Sequence, residues 1–140
     1  MEKEAEARLW EIVDEAEVSL VITQGEQGFP HCRPMTLLGY EEEGTLWFAT
    51  SRSSRKVSEI SRDAKVTVCF LSFEGGAHAQ LFGRAEVVEE PELKAEFWTE
   101  EWEEYWEGPD DPDYVLLEIR VERAEYYLIE EDELWVIEFS

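Results

Sequence analysis

The chain has little with which to bind nucleic acid or a membrane. Lysine and arginine total 12 against 35 aspartates and glutamates, a net charge of -23. Phosphate backbones and anionic lipid surfaces are both recognised by excess cations, so this balance argues against nucleic-acid and membrane partners. No apolar run approaches the roughly 20 residues that a membrane-spanning helix needs. Cysteine is scarce: Cys32 and Cys69 stand far apart and form no C-x-x-C pair. That pattern excludes a disulfide framework and predicts reduced thiols in the cytoplasm. The first residues are charged from Glu2 onward, which predicts neither a secretory signal nor a basic transit peptide. Ser-His-Asp, glycine-rich nucleotide-loop and paired-carboxylate patterns are missing, so catalytic residues are not named and any chemistry is expected from a cofactor.

What is present is enough for one ordinary globular domain. The 140 residues are 44% hydrophobic and 13% aromatic, which suits a single real core. Ala5, Leu9, Ile12, Val13 and Ala16 share the face of an amphipathic helix. Alternating or β-branched runs predict strands at 17–23, 30–38, 45–50, 64–73, 77–89, 114–128 and 133–139. Gly83 falls inside one of them and predicts a bulge or a close backbone approach. A short helix is expected at 55–62. A second opens at Pro91 and is expected to carry Trp98, Trp102 and Trp106 on one face at i, i+4, i+8, most simply a packing face, with a lid as the functional alternative. Gly108 to Pro112 ends it. The expected fold is mainly β with short helices (α+β), a six- to seven-stranded antiparallel barrel over residues 1–140, with a sandwich as the nearest alternative.

Charge distribution says more than net charge. Residues 27–40 and 44–58 contain Arg33, Arg52, Arg55 and Lys56 and no acid at all. With acids making up a quarter of the chain, about seven would fall there by chance. Burial of a strand explains missing acids but not four cations. An anion-binding site explains both. Ser51, Ser53 and Ser54 offer hydroxyls at a strand-to-helix turn, followed by the free N–H groups of a helix N-terminus. Arg55 offers a fork for phosphate oxygens, Lys56 a point charge, and Arg33 points in from the neighbouring strand. The alternative is that Arg52, Arg55 and Lys56 merely cover an exposed turn and pair with distant glutamates.

Several of these segments, in order, resemble the pyridoxamine 5'-phosphate oxidase-like family of FMN-binding split barrels, in the short branch that includes general stress proteins. They are Gly28-Phe29-Pro30-His31-Cys32-Arg33-Pro34-Met35; Leu46-Trp47-Phe48-Ala49-Thr50 with Ser53-Ser54-Arg55-Lys56-Val57; Lys65 to Phe70; Gln80 to Val87; and Trp106-Glu107-Gly108-Pro109-Asp110-Asp111-Pro112. The resemblance implies a split β-barrel, FMN as cofactor, and a homodimer with the flavin between subunits. It implies that Arg33, Arg55 and Lys56 hold the phosphate, with Ser54 and Thr50 adding hydrogen bonds. Main chain of Arg33, Pro34, Met35, Thr36 and Leu37 would meet the pyrimidine edge, Phe48 and Ala49 would pack beside the ring, and His78 would lie near the flavin.

Two departures narrow the activity. The last basic residue is Arg123 and the tail from Glu133 is acidic and apolar, so oxidation of pyridoxamine phosphate itself is not expected. Tyr127 stands where the branch tends to have Trp. The expected function is a flavin-dependent oxidoreductase acting on an unknown small substrate. The alternatives are a protein that stores or senses flavin or haem without turnover, with His78 as the haem ligand, and a deazaflavin-dependent reductase. A metal site at His31, Cys32, Cys69 and His78 is not expected, because adjacent residues on a strand point to opposite faces.

Overall fold

The computed structural model describes residues 2–139. The chain runs α1 (Glu2–Glu15), β1 (Val18–Gln24), β2 (Pro30–Pro34), β3 (Gly39–Glu41), β4 (Thr45–Ser51), α2 (Arg55–Arg62), β5 (Lys65–Ser72), β6 (Ala77–Val88), α3 (Pro91–Phe97), a 3-10 turn (Glu100–Glu104), β7 (Tyr114–Leu128) and β8 (Glu133–Glu138). All pairings are antiparallel, in the order β2-β1-β5-β6-β7-β4-β3, with β8 also on β7. The sheet curls without closing, as a split barrel does. Among the described residues no helix is long and apolar enough to cross a membrane.

Alternation decides which side of each strand is inside. Val66, Val68, Phe70 and Ser72 of β5, Leu46, Phe48 and Thr50 of β4, and Ala77, Ala79, Leu81 and Ala85 of β6 are buried, and their neighbours are not. Leu9, Trp10, Ile12 and Val13 of α1 enter the same core. At roughly 1.5–3 kcal/mol for each fully buried large side chain, this interior is the main source of stability.

Three expectations change. Eight strands form, because Gly39–Glu41 pairs with β4 instead of serving only as a turn. β2 ends at Pro34, not at residue 38, although the Met35 N–H still reaches the Ser19 carbonyl at 3.1 Å, one rung further along the same register. The helix opened by Pro91 stops at Phe97, and Trp98 is already extended. Its tryptophans still converge: Trp98, Trp102 and Trp106 each pack within 6 Å of the Tyr114 ring, at 5.3, 5.6 and 5.1 Å. They therefore cover the outer face of β4 and β7 as a second small core, with Trp47 and Ala49 beneath.

Candidate functional site

The 34–38 segment, the end of β4, the start of α2 and the 3-10 turn enclose a groove of about 510 Å³. Its lining includes Pro34, Met35, Thr36, Ala49, Thr50, Trp102 and Trp106, with Lys56 and Glu101 as its charged residues. A larger hollow of about 580 Å³ lies on the other side of the same segment, but its charged residues are Asp14 and Glu17. A hollow whose only charges are negative does not suit a phosphate ester. The smaller one holds the lysine Lys56.

Lys56 is half-buried, and its Nζ donates to Thr50 Oγ1 at 2.8 Å. Because Thr50 accepts that bond, its own hydroxyl proton stays available to an anion. Burial, and then the nearby positive charge of Arg33, hold the Lys56 pKa below its ordinary value. Every arginine of the chain pairs with a glutamate, whereas Lys56 has no carboxylate partner among the described residues. In the groove Lys56 is bonded to Thr50, and Glu101 of the 3-10 turn is the acid on the same lining, at no ion-pair distance from it.

Arg33 lies on the inward side of β2. Its Nη1 donates to Thr23 Oγ1 at 2.8 Å, the His31 carbonyl at 3.1 Å and the Val21 carbonyl at 3.3 Å, and its Nη2 reaches Glu59 at 3.4 Å. Glu59, on α2, also accepts from Thr23 at 2.6 Å and meets the His31 ring. Burial alone would raise the Glu59 pKa. Hydrogen bonds from Thr23 and His31, and the charges of His31 and Arg55, outweigh it and keep the carboxyl below its ordinary 4.5. A depressed folded-state value means that this carboxylate stabilises the fold fully above pH 4.5, and that the contribution is lost as pH falls through the folded value. Urea unfolding of the wild type and Glu59→Gln across an acid series should therefore show their stability difference shrinking below pH 4.5. A difference that widened there would contradict the sign.

The turn from Ser51 to Arg55 is held from outside the sheet. Asp113 accepts from Ser53 N–H at 2.9 Å and from the Ser53 hydroxyl at 3.3 Å, and its carbonyl accepts from Arg52 N–H at 2.7 Å. Asp111 in turn accepts from the N–H groups of Glu107 and Asp113, both at 2.9 Å. Replacing Asp113 by alanine is expected to cost about 1 kcal/mol of stability, since the bonds are charge-assisted but exposed, and to weaken any anion bound at the turn. Chemical denaturation and ligand titration on one sample would show both effects; unaltered ligand affinity would detach Asp113 from the site.

The expected site residues are thus only partly brought together. Lys56 and Thr50 face the groove with Pro34, Met35, Thr36 and Ala49, Arg33 lies near enough for its charge to act on Lys56, and Leu37 lines the larger hollow. Met35 is already satisfied, its N–H by Ser19 and its carbonyl by the Ser19 hydroxyl. Among the described residues the N–H groups of Thr36 and Leu37 have no partner. Arg55 is 69% exposed and leans back toward Glu59 at 3.7 Å. Ser54 donates its hydroxyl to the Ser51 carbonyl at 2.7 Å, and Ser53 belongs to Asp113. Arg52 is a surface partner of Glu89, with its Nε at 3.2 Å, as the exposed-turn alternative required. Phe48 is fully buried in the barrel core: it alternates with Ala49 across β4, so its side chain points away from the groove. His78 is also elsewhere, on the outer face of β6, stacked on Tyr127 at 5.6 Å. Sequence reasoning missed Glu59, Thr23 and Asp113. Among the described residues no cluster of three or more His, Cys, Asp or Glu is placed to hold a metal.

An open antiparallel barrel with a groove beside the β4–α2 turn is a split barrel, and the family can be stated. The chain belongs to the pyridoxamine 5'-phosphate oxidase like family, whose profile matches residues 4–138. General stress protein 26 of Bacillus subtilis (strain 168) is 28% identical over 125 residues, covering 86% of each chain. A crystal structure from Clostridium acetobutylicum, of a protein related to general stress protein 26, is 27% identical, with a TM-score of 0.83 over 99% of this chain and 96% of that one. The general stress FMN/FAD binding protein of Xanthomonas citri shares the fold at 24% identity, with a TM-score of 0.74 over 94% of this chain and 91% of that one.

Proposed function

We propose that this chain binds FMN in the groove and serves as a flavin-dependent oxidoreductase for a small substrate. The observation that carries the reading is a half-buried Lys56 in the groove, bonded to a hydroxyl and in no ion pair, with Arg33 near enough for its charge to be felt there. Such a pair suits a doubly charged phosphate monoester. The fit extends along the groove: Thr50 has a proton to donate, Thr36 has an N–H group to offer a heterocycle, and Ala49 leaves room beside Trp102 and Trp106 for a flat ring. When bound, the flavin would supply hydride or electron transfer, and the protein's part would be to orient the ring and limit water around it. Two free cysteines fit a reducing, cytoplasmic setting.

The same reading includes a homodimer. Val18, Leu20 and Ile22 of β1, Leu71 of β5, and Phe82 and His78 of β6 share the outer face of the sheet and are only half-buried. That apolar face suits a second copy of the chain. Titrating cofactor-free protein into FMN should quench flavin fluorescence with one site per chain, and sedimentation should give twice the chain mass. Absence of quenching would remove the flavin reading; a monomer that still quenches would remove only the dimer.

A further inference from the structure

We infer that Glu59 is a positioning residue for the anion site, holding the Arg33 guanidinium in the orientation that a phosphate needs. This rests on the reading that the phosphate binds at Arg33 and Lys56. Glu59 is 4% exposed and is the one buried acid among the described residues. It sits where the acid-free segments converge, which is the last place a carboxylate should help an anion bind. Its contacts explain its presence. Thr23 donates to it at 2.6 Å and accepts from Arg33 Nη1 at 2.8 Å, while Arg33 Nη2 lies 3.4 Å from the same carboxylate oxygen. Carboxylate and hydroxyl together fasten the two terminal nitrogens of the guanidinium. The Nε–H has no acceptor among the described residues, so the Nε edge of the planar fork remains for a ligand. His31 occupies the other carboxylate oxygen, and Arg55 approaches that same oxygen at 3.7 Å. Glu59 thus ties β1, β2 and α2 together through one buried group.

The test exploits a conflict of sign. Removing a negative charge next to an anion site should tighten phosphate binding if only Coulomb attraction matters. Removing a positioning group should weaken it. In Glu59→Gln the amide keeps one acceptor oxygen but turns N–H groups toward cationic partners, so Arg33 loses its anchor. FMN affinity is expected to fall at least about tenfold, equivalent to about 1.4 kcal/mol, while riboflavin affinity stays within about twofold. Thr23→Val removes the second tether without changing charge and is expected to act in the same direction, which keeps the test available if Glu59→Gln does not fold. The two substitutions combined should cost less than the sum of their separate effects. FMN binding that is unchanged or tighter in either variant, or an equal loss of FMN and riboflavin, overturns the positioning role. If wild-type protein fails to prefer FMN over riboflavin, the phosphate reading itself has failed, and that outcome is read before any variant is made.

Discussion

The double substitution Arg33→Ala, Lys56→Ala is expected to abolish FMN binding at micromolar concentrations while sparing most of the affinity for riboflavin. Each charge-assisted contact to a phosphate contributes about 1.5–3 kcal/mol, so losing both should weaken FMN by roughly a hundredfold or more. Riboflavin lacks the phosphate and serves as the internal control. The singles should differ in a second property. Lys56→Ala removes a half-buried cation that Arg33 already disfavours, so the fold should tolerate it. Arg33→Ala leaves Glu59 with less compensation and should lower stability by up to about 3–5 kcal/mol, the range for breaking a buried pair. Arg52→Ala, on a side chain committed to Glu89, should change neither ligand. Fluorescence titration of the four variants, with urea melts alongside, reads all of this. Comparable losses for FMN and riboflavin would remove the phosphate assignment.

The second large effect concerns the scaffold. A Cβ placed on Gly83 would stand 2.2 Å from the Arg120 carbonyl oxygen and 3.0 Å from the Val121 Cα. Both are backbone atoms of β7, so no side chain can swing aside. The register of β6 on β7 shifts between Phe82 and Gly83, and the close approach is how the long strand bends. Gly83→Val should therefore cost more than about 4 kcal/mol, or leave the protein insoluble. Gly108→Ala, where an added methyl meets nothing within 4 Å, should stay within about 0.5 kcal/mol of wild type. A Gly83→Val protein with a normal denaturation midpoint would mean that the strands are not joined as described.

These two predictions also mark what a reader of the sequence could and could not see. Gly83 stood out because it interrupts an otherwise alternating strand, and the bulge is there. The cations stood out because acids are missing around them, and Arg33 and Lys56 do converge. The tryptophan spacing pointed to one cluster and found it, although Thr99 and the 3-10 turn carry it where a helix was expected. Glu59 was invisible for a physical reason: an acid four residues after Arg55 on a helix reads as a solvated ion pair. The available sign was its position between Val57 and Ile60, both buried. His78 and Phe48 lie off the groove because alternation fixes which face a residue occupies only after the register is known. His78 falls on the outer sheet and Phe48 inside the barrel.

The pairing of β4 with β7 has a consequence for when the protein becomes competent. Ser51 meets Tyr114 and Thr45 meets Arg120, so the strand that leads into the Ser51–Arg55 turn has its main partner far downstream. Closing so long a loop is slow relative to local hairpins such as β5–β6. The turn's own latch, Asp113, arrives with the same late segment. During synthesis the cations of the turn therefore emerge well before the frame that holds them, and flavin, if the proposed reading is right, is expected to bind only after β7 has left the ribosome. A chain cut short before Tyr114 should retain β1, β2, β5 and β6 as partners for one another yet hold no flavin at all.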